Sequence, residues 1–490
     1  MGRLGLVLLV LLAAGCRRPD AVAIWTESTR AKLSESPASA IFDGKTVTLR
    51  GVRGEILGLQ VRAARNTRCA VTLPAAVVTA FTLTALTVEE PSTSMYGPSR
   101  GTGAYPDLLV PSDGGAATIV DGAYFDLGIP IDAQPGVHQG QLTLDLATGS
   151  RQIPIVLTVD PAELRLTPFV WAFYLPSEIA RIHHVPDDDS AAELDWERRY
   201  LTLLRQHGVF GASDQPPGRT PPRSEFLDGL DFWPVSLDLS SDAALAADTA
   251  RAVAVFRDRK QTPFVTPVDE PATPEARARA RHACQIVRAA SAGRVLCAVT
   301  APPHPELDGP IDIYIAPSSI PTRPVSGARY WTYNGRPPSA GSMVLDADGG
   351  ALRSWGWLAA RYDLPLWHVW EMLYVRDRYN GGRERPSHLP NPLTFDERLR
   401  HQGSDDHGNL DGLLVYPGPL PSLRLKTLRR GLQDRVLLRA LAAKDPAAAA
   451  ALLQPFRGLG DAGRSPSWPA DEVGWEAAHT RLLDALAKLN

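Results

Sequence analysis

The sequence predicts a multidomain chain: an N-terminal all-β sandwich, then a (β/α)8 TIM-like barrel with some helices missing, then a C-terminal helical tail. Three observations predict it. Before residue 165 the sequence consists of short runs rich in Val, Leu and Thr, with no helical period of useful length. After Pro168, eight apolar runs recur, several of them separated by helical stretches. From 443 onward there are only helical stretches and a Gly/Pro/Ser linker. The expected boundaries are 1–16 for an export signal, 20–164 for the sandwich, 165–442 for the barrel and 443–490 for the tail.

Composition supports this division and excludes several classes. The chain has 490 residues, enough for two to four domains at roughly 100–200 residues each. Its 44% hydrophobic and 21% charged residues are those of an ordinary globular protein, so long-range disorder is not expected. No apolar run of roughly 18 residues follows residue 15, which excludes a polytopic membrane protein. A net charge of −3 gives no reason to expect a nucleic-acid partner. The 40 Gly and 43 Pro, about one residue in six against a usual ~12%, imply many loops around regular elements.

The first element is an address. Met1-Gly2-Arg3 is a short basic start, 4–12 is an apolar core too short to span a bilayer comfortably, and Leu12-Ala13-Ala14-Gly15-Cys16 ends it with small residues. The last stretch resembles a bacterial lipobox, with Cys16 as the lipidated residue. Arg17 follows, not the Asp that often retains lipoproteins at the inner membrane. The expectation is therefore an exported bacterial lipoprotein at the outer membrane, facing periplasm or exterior, that touches membrane only through this anchor.

Sandwich strands are expected at 46–50, 58–63, 69–73, 81–88 and 117–120, followed by a hairpin of 141–146 and 153–159 around a turn at 147–150. Three further cysteines, Cys69, Cys284 and Cys297, are too few and odd in number for a disulfide scaffold. Cys284 and Cys297 read as buried free thiols, with a bridge between them as the alternative. No CxxC, HExxH or EF-hand spacing occurs, so neither a metal nor another cofactor is expected.

The eight barrel strands are expected at 169–175, 209–213, 232–239, 264–268, 294–299, 311–315, 328–333 and 366–370. Helices are expected at 191–207, 242–259, 273–290, 351–362 and 422–442, and none between strands two and three, five and six, or six and seven. An open doubly wound sheet is the alternative, but no Gly-rich first βα turn supports it. In the tail, helices at 446–456 and 470–489 are expected to cap the barrel.

Barrel active sites form at the C-terminal ends of strands, and the fourth strand ends in Val268-Asp269-Glu270-Pro271. Adjacent carboxylates repel, which raises one pKa and keeps that group available as an acid. The same residues also make a good helix start, with Thr273 as cap. A retaining glycosidase with its own nucleophile needs a second carboxylate about 5 Å from the acid. Strand seven offers no acid; it offers Tyr330, Trp331 and Tyr333, an aromatic wall of which two members are alternatively barrel core. That combination suits a reaction in which a sugar's 2-acetamido group is the nucleophile.

These residues, with others along most of the chain, resemble the family 123 glycoside hydrolases and their uncharacterised relatives. The resemblance runs through 52–60, Pro135-Gly136-Val137-His138-Gln139-Gly140, Leu157-Thr158-Val159, the Asp269-Glu270 strand, 309–314, 330–333, 353–357 and 366–370. It is most specific in Asp411-Gly412-Leu413-Leu414-Val415-Tyr416-Pro417-Gly418, with 421–424 and 428–434 after it. It implies β-N-acetylgalactosaminidase-like activity on a glycan substrate. Glu270 would be the general acid/base, and Asp269 would hold the acetamido N–H. Tyr330, Trp331 and Tyr333 would line the acetamide pocket, and Trp370 would stack on the sugar.

Arg353 and Arg424 read as structural or rim-forming, and as solvated charges they would be ordinary. Arg430 and Gln433 stand where the family usually has acids, which suggests altered helix packing. Glu371 follows Trp370 and is a candidate for a sugar hydroxyl, or for pairing with Arg376 or Arg378. The proline-rich segment 216–222 would reshape the cleft. His183-His184 and Asp405-Asp406-His407 read as solvated loop residues, with substrate-rim contacts as the alternative. Two functions are carried forward: a glycosidase acting on 2-acetamido sugars, and a non-catalytic glycan-binding or structural envelope lipoprotein on the same scaffold.

Overall fold

A computed structural model describes residues 21–186, 189–213, 226–227, 229–321, 323–377, 383–384, 392–396, 398, 405–460, 465 and 467–489. The export signal with Cys16, the 216–222 segment and Arg378 lie outside the described residues.

The N-terminal part forms two five-stranded sheets. One runs β1 (Ala23–Trp25), β3 (Ile56–Arg62), β8 (Gly122–Gly128), β5 (Val77–Val88) and β6 (Gly103–Ser112), antiparallel throughout. The other runs β2 (Val47–Arg53), β10 (Gly149–Glu163), β9 (Gly136–Leu146), β4 (Arg68–Thr72) and β7 (Ala116–Thr118), with β2 parallel to β10. Leu57, Leu59 and Phe125 of the first sheet share one apolar core with Leu49, Leu142 and Ile155 of the second. The β9–β10 hairpin is the expected one. Ile153, Ile155, Leu157 and Val159 alternate inward, and Gly149 takes the positive φ of 126° that the tight turn requires.

Eight parallel strands follow: β11 (Val170–Ala172), β12 (Val209–Gly211), β13 (Phe232–Pro234), β14 (Thr262–Val265), β15 (Leu296–Val299), β16 (Ile313–Pro317), β17 (Arg329–Tyr333) and β18 (Trp367–Val369). Each overlaps its expected run. They form one curled sheet in the order β12-β11-β18-β17-β16-β15-β14-β13, with the second and third strands at its two edges. Trp171 and Trp331 both pack edge-on to Phe264, at 5.2 and 5.0 Å between ring centroids, and fill the inside of the curl.

The helices are α1 (Pro176–Ile182), α2 (Ser190–Arg205), α3 (Asp242–Val255), α4 (Pro274–Ser291), α5 (Ser354–Arg361) and α6 (Leu423–Lys444). Among the described residues, strands five and six are joined by only one 3-10 turn, Pro305–Leu307, and strands six and seven by no helix, as expected. No described helix is long and apolar enough to cross a membrane.

Helix α6 decides how the parts fit together. It is buried almost all round, and its polar residues reach the N-terminal sheets. Arg424 pairs with Asp107 at 3.1 Å, Lys426 and Arg429 with Asp126 at 2.6 and 2.5 Å, and Arg430 with Glu55 and Glu27. Gln433 exchanges two hydrogen bonds with the backbone of Ile56. Arg353 is held by Asp434 at 2.7 Å and Glu476 at 2.6 Å. Arg353 and Arg424 are thus not solvated but fully buried, where only pairing makes an ionised group tolerable. Helices α5 and α6 cross backbone to backbone, so a Cβ on Gly356 would collide with the carbonyl of Gly431.

The tail, α7 (Pro446–Leu453) and α8 (Glu472–Ala487), packs on helices beside the curled sheet and reaches the N-terminal part as well. Trp475 and Leu482 of α8 share a cluster with Trp357, Leu437 and Val52, so α8 lies against α5, α6 and the sheets. Glu472 accepts hydrogen bonds from the amides of Thr26 and Ala40 and from the Thr29 hydroxyl. The reading of Cys284 and Cys297 as free thiols is corrected. They form a disulfide between α4 and β15, with Cα atoms 5.5 Å apart. Both positions are fully buried on facing elements, which brings the two side chains within bonding reach. Cys69 stays a free buried thiol, its pKa pushed up to about 12 by burial.

Candidate active site

Strand β14 is a short, almost wholly buried apolar run, as a strand flanked by parallel neighbours must be. Past Val265 the chain leaves the sheet at its C-terminal end and presents Asp269 and Glu270. Helix α4 does not use them as its cap: Thr273 Oγ1 accepts the amide of Ala276 at 3.2 Å, with Pro274 in the first turn. Glu270 is instead bent into the left-handed region, at φ 41°. A non-glycine residue is held there only by its surroundings, and such residues cluster at functional sites.

Two side chains from other strand ends do the holding. Thr300, just past β15, accepts the Glu270 amide at 2.6 Å and donates to Asp269 Oδ1 at 2.5 Å. The Tyr333 hydroxyl, at the end of β17, donates to Glu270 Oε1 at 2.6 Å. Burial, then the bond to Glu270 and the nearby carboxylates, holds the Tyr333 phenol well above its usual range, so it remains a proton donor. Glu270, Thr300 and Tyr333 line a cleft of about 370 Å³ whose other walls include Pro302, Leu307 and Pro317. Arg277 and His304 line it as well, and Glu270 is the only carboxylate among the described residues that line it. Beside Tyr333, with centroids 6.3 Å apart, lies His368. Its ring stacks on Trp171 at 3.9 Å, and burial pushes its pKa down to about 3, so it is neutral. Among the described residues no group of three His, Cys, Asp or Glu side chains is arranged to hold a metal ion.

The chain is similar over almost its whole length to a family 123 glycoside hydrolase from Clostridium perfringens, with a TM-score of 0.65 over 96% of this chain and 98% of that one, at 12% sequence identity. The fold is that of the family 123 enzyme. A β-glucuronidase from Parabacteroides merdae matches at a TM-score of 0.30 and 11% identity, covering 79% of this chain and 49% of that one. β-Glucuronidase 3 from Bacteroides uniformis matches at 0.29 and 8% identity, covering 78% and 50%. No protein-family model and no curated protein matches the sequence.

On this family 123 fold the sequence-expected residues divide. Glu270 and Tyr333 meet in the cleft, and Asp269 joins them through Thr300. Both acid side chains are exposed, because they sit beyond the strand end and not within it. Tyr330 faces the other side of β17, stacked on Tyr314 at 6.1 Å with its hydroxyl on the backbone of Val325. Trp331 is 1% exposed, in the packed interior beneath the site. These two placements follow from strand alternation, which sends Tyr330 outward and sets Trp331 one layer below Tyr333.

Trp370 stands past β18, outside the cleft lining. Its indole N–H donates to Asp411 at 3.1 Å and its amide to Asn334 Oδ1. Tyr96 of the N-terminal part reaches the same Asp411 at 2.9 Å. Glu371 is buried and accepts the amides of Met372 and Leu373, so it shapes its own turn. His183 is not solvated: its ring stacks on Trp196 at 3.5 Å and bonds the Tyr200 hydroxyl. His407 is likewise buried, against the carbonyl of Pro91. His184 and Asp405 are exposed, as expected. Sequence reading missed Thr300 and His368. A hydroxyl one residue beyond a strand end, next to the strand bearing the acids, was the available signal for Thr300.

Proposed function

We propose that the protein is a glycoside hydrolase acting on 2-acetamido sugars, a β-N-acetylgalactosaminide or a related β-N-acetylhexosaminide, by substrate-assisted retaining hydrolysis. Its two layers of sheet are then a β-sandwich and its curled parallel sheet a (β/α)8 barrel. The carrying observation is that, among the described residues, Glu270 is the only carboxylate lining a cleft at the strand ends, paired in sequence with Asp269 and bonded to Tyr333. A cleft with one acid and no second carboxylate among its described lining residues suits a substrate that brings its own nucleophile. The Clostridium perfringens neighbour, studied for glycolipid glycan hydrolysis, lends the same direction.

In this reading Glu270 protonates the leaving glycosidic oxygen while the acetamido oxygen attacks the anomeric carbon. Asp269 accepts the acetamido N–H and stabilises the oxazolinium-like ring that forms. Glu270 then takes a proton from water as that water opens the ring with net retention. Trp370, held by its bond to Asp411, is the ring proposed to stack on the sugar face. Export and lipidation at Cys16, with an outer-membrane location, belong to the same proposal.

The test is hydrolysis of aryl β-N-acetylgalactosaminide and β-N-acetylglucosaminide by the chain lacking residues 1–16. Glu270→Gln should abolish turnover, and Asp269→Asn should slow it by about 100-fold or more. Turnover that survives Glu270→Gln sinks the assignment. The exposure of both acids favours a second reading, a non-catalytic glycan-binding or structural envelope protein. Binding across a glycan panel with no hydrolysis selects it.

A further inference from the structure

We propose that Thr300 is a positioning residue for the acid pair: one hydroxyl fixes the Asp269 carboxylate and the Glu270 backbone together, and the aim of both acids depends on it. The catalytic consequence rests on the glycosidase reading above; the geometric one does not.

Successive residues of an extended chain point to opposite faces, so Asp269 and Glu270 would diverge if the strand simply continued. The φ of 41° at Glu270 breaks that alternation, and a backbone so placed needs an external partner. Thr300 supplies it. A hydroxyl has one proton to give and lone pairs to accept with. The proton goes to Asp269 Oδ1 at 2.5 Å, and a lone pair takes the Glu270 amide at 2.6 Å. Both functions of the group are therefore used, each on a different member of the pair. With the amide held, the Glu270 side chain is directed to Tyr333.

Thr300 itself is carried on a fixed element. β15 is paired on both sides and is tied by Cys297 to Cys284 on α4, the helix that leaves the acid pair. The β-branch of Thr limits its χ1, which a Ser would not do as well.

Thr300→Val keeps shape and removes the hydroxyl. With an aryl 2-acetamido glycoside, kcat should fall about 100-fold, as for a misplaced catalytic group, and KM should stay within about threefold. Thr300→Ser should restore most of kcat, and both variants should melt near the wild-type temperature. Crystal structures give the readout that does not need turnover. In the Val variant Glu270 should return to negative φ and lose Tyr333; in the Ser variant both should persist. Thr300→Ala serves the same purpose if the Val variant does not fold. Wild-type kcat in the Val or Ala variant, or Glu270 unmoved in its structure, overturns the proposal. A wild-type enzyme silent on every glycoside would defeat the proposed function, while the crystal structures would still decide the role of Thr300.

Discussion

The Tyr333 hydroxyl donates a 2.6 Å hydrogen bond to Glu270, joining the ends of two strands that have two others between them. That bond closes one side of the cleft. Tyr333→Phe keeps the ring and removes the donor, so kcat should drop by about 10- to 100-fold with the fold intact. Because the Tyr333 phenol is held well above its usual value, it should contribute no phenolate absorbance below about pH 11. Wild-type and Tyr333→Phe titration curves that differ near pH 10 would contradict this.

His368 makes stability depend on pH in a definite direction. Its pKa falls from 6.5 to about 3 on folding, so the unfolded chain binds more protons between those values. Stability is then lost as pH drops below about 6.5, by about 1.4 kcal/mol per unit for one such group. Urea unfolding at pH 7 and pH 5 should show a smaller difference for His368→Gln than for the wild type. Equal differences would show that the buried imidazole does not set this slope.

Closing the Cys284–Cys297 loop, with a separation of 13, should contribute about 3 kcal/mol. A Cys284→Ala/Cys297→Ala protein should melt lower than the oxidised wild type and should not respond to dithiothreitol. The wild type treated with the same reductant should approach it. No thermal shift in either case removes the bridge from the stability argument.

Arg353, itself fully buried, holds two carboxylates. Arg353→Met leaves Asp434 and Glu476 without their shared guanidinium and should cost about 3–5 kcal/mol. Denaturant midpoints at one pH check it; a loss below about 1 kcal/mol would mean the pair is solvated after all.

The eight parallel strands were legible because a strand buried on both faces reads as an unbroken apolar run. Where such a run is bounded by glycines and interrupted by a charge, as in β8 with Asp126, nothing in the pattern marked it as a strand. Asp126 is tolerated inside only because Lys426 and Arg429, some three hundred residues later, reach it. The same long-range pairing hid the burial of Arg353 and Arg424, since a basic residue in isolation reads as surface. At the site, Asp269, Glu270 and Tyr333 were read as candidates from strand ends and chemistry, and the structure brings Glu270 and Tyr333 into contact and links Asp269 to Glu270 through Thr300. Tyr330 and Trp331 were misplaced because the choice of which alternate residues face the cleft depends on register, and register is set by neighbouring strands. Thr300 was missed because its role consists of two contacts across a strand gap.

Helix α6 carries one last consequence, for how such a chain can be inherited. Its first four basic residues, Arg424, Lys426, Arg429 and Arg430, pair with Asp107, Asp126, Glu27 and Glu55, all from the first third of the sequence. A recombination that exchanged the sheet region for a foreign one would strand four buried cations at once. The catalytic-looking half of this molecule is therefore not portable: it passes on only together with the particular acids it was built against.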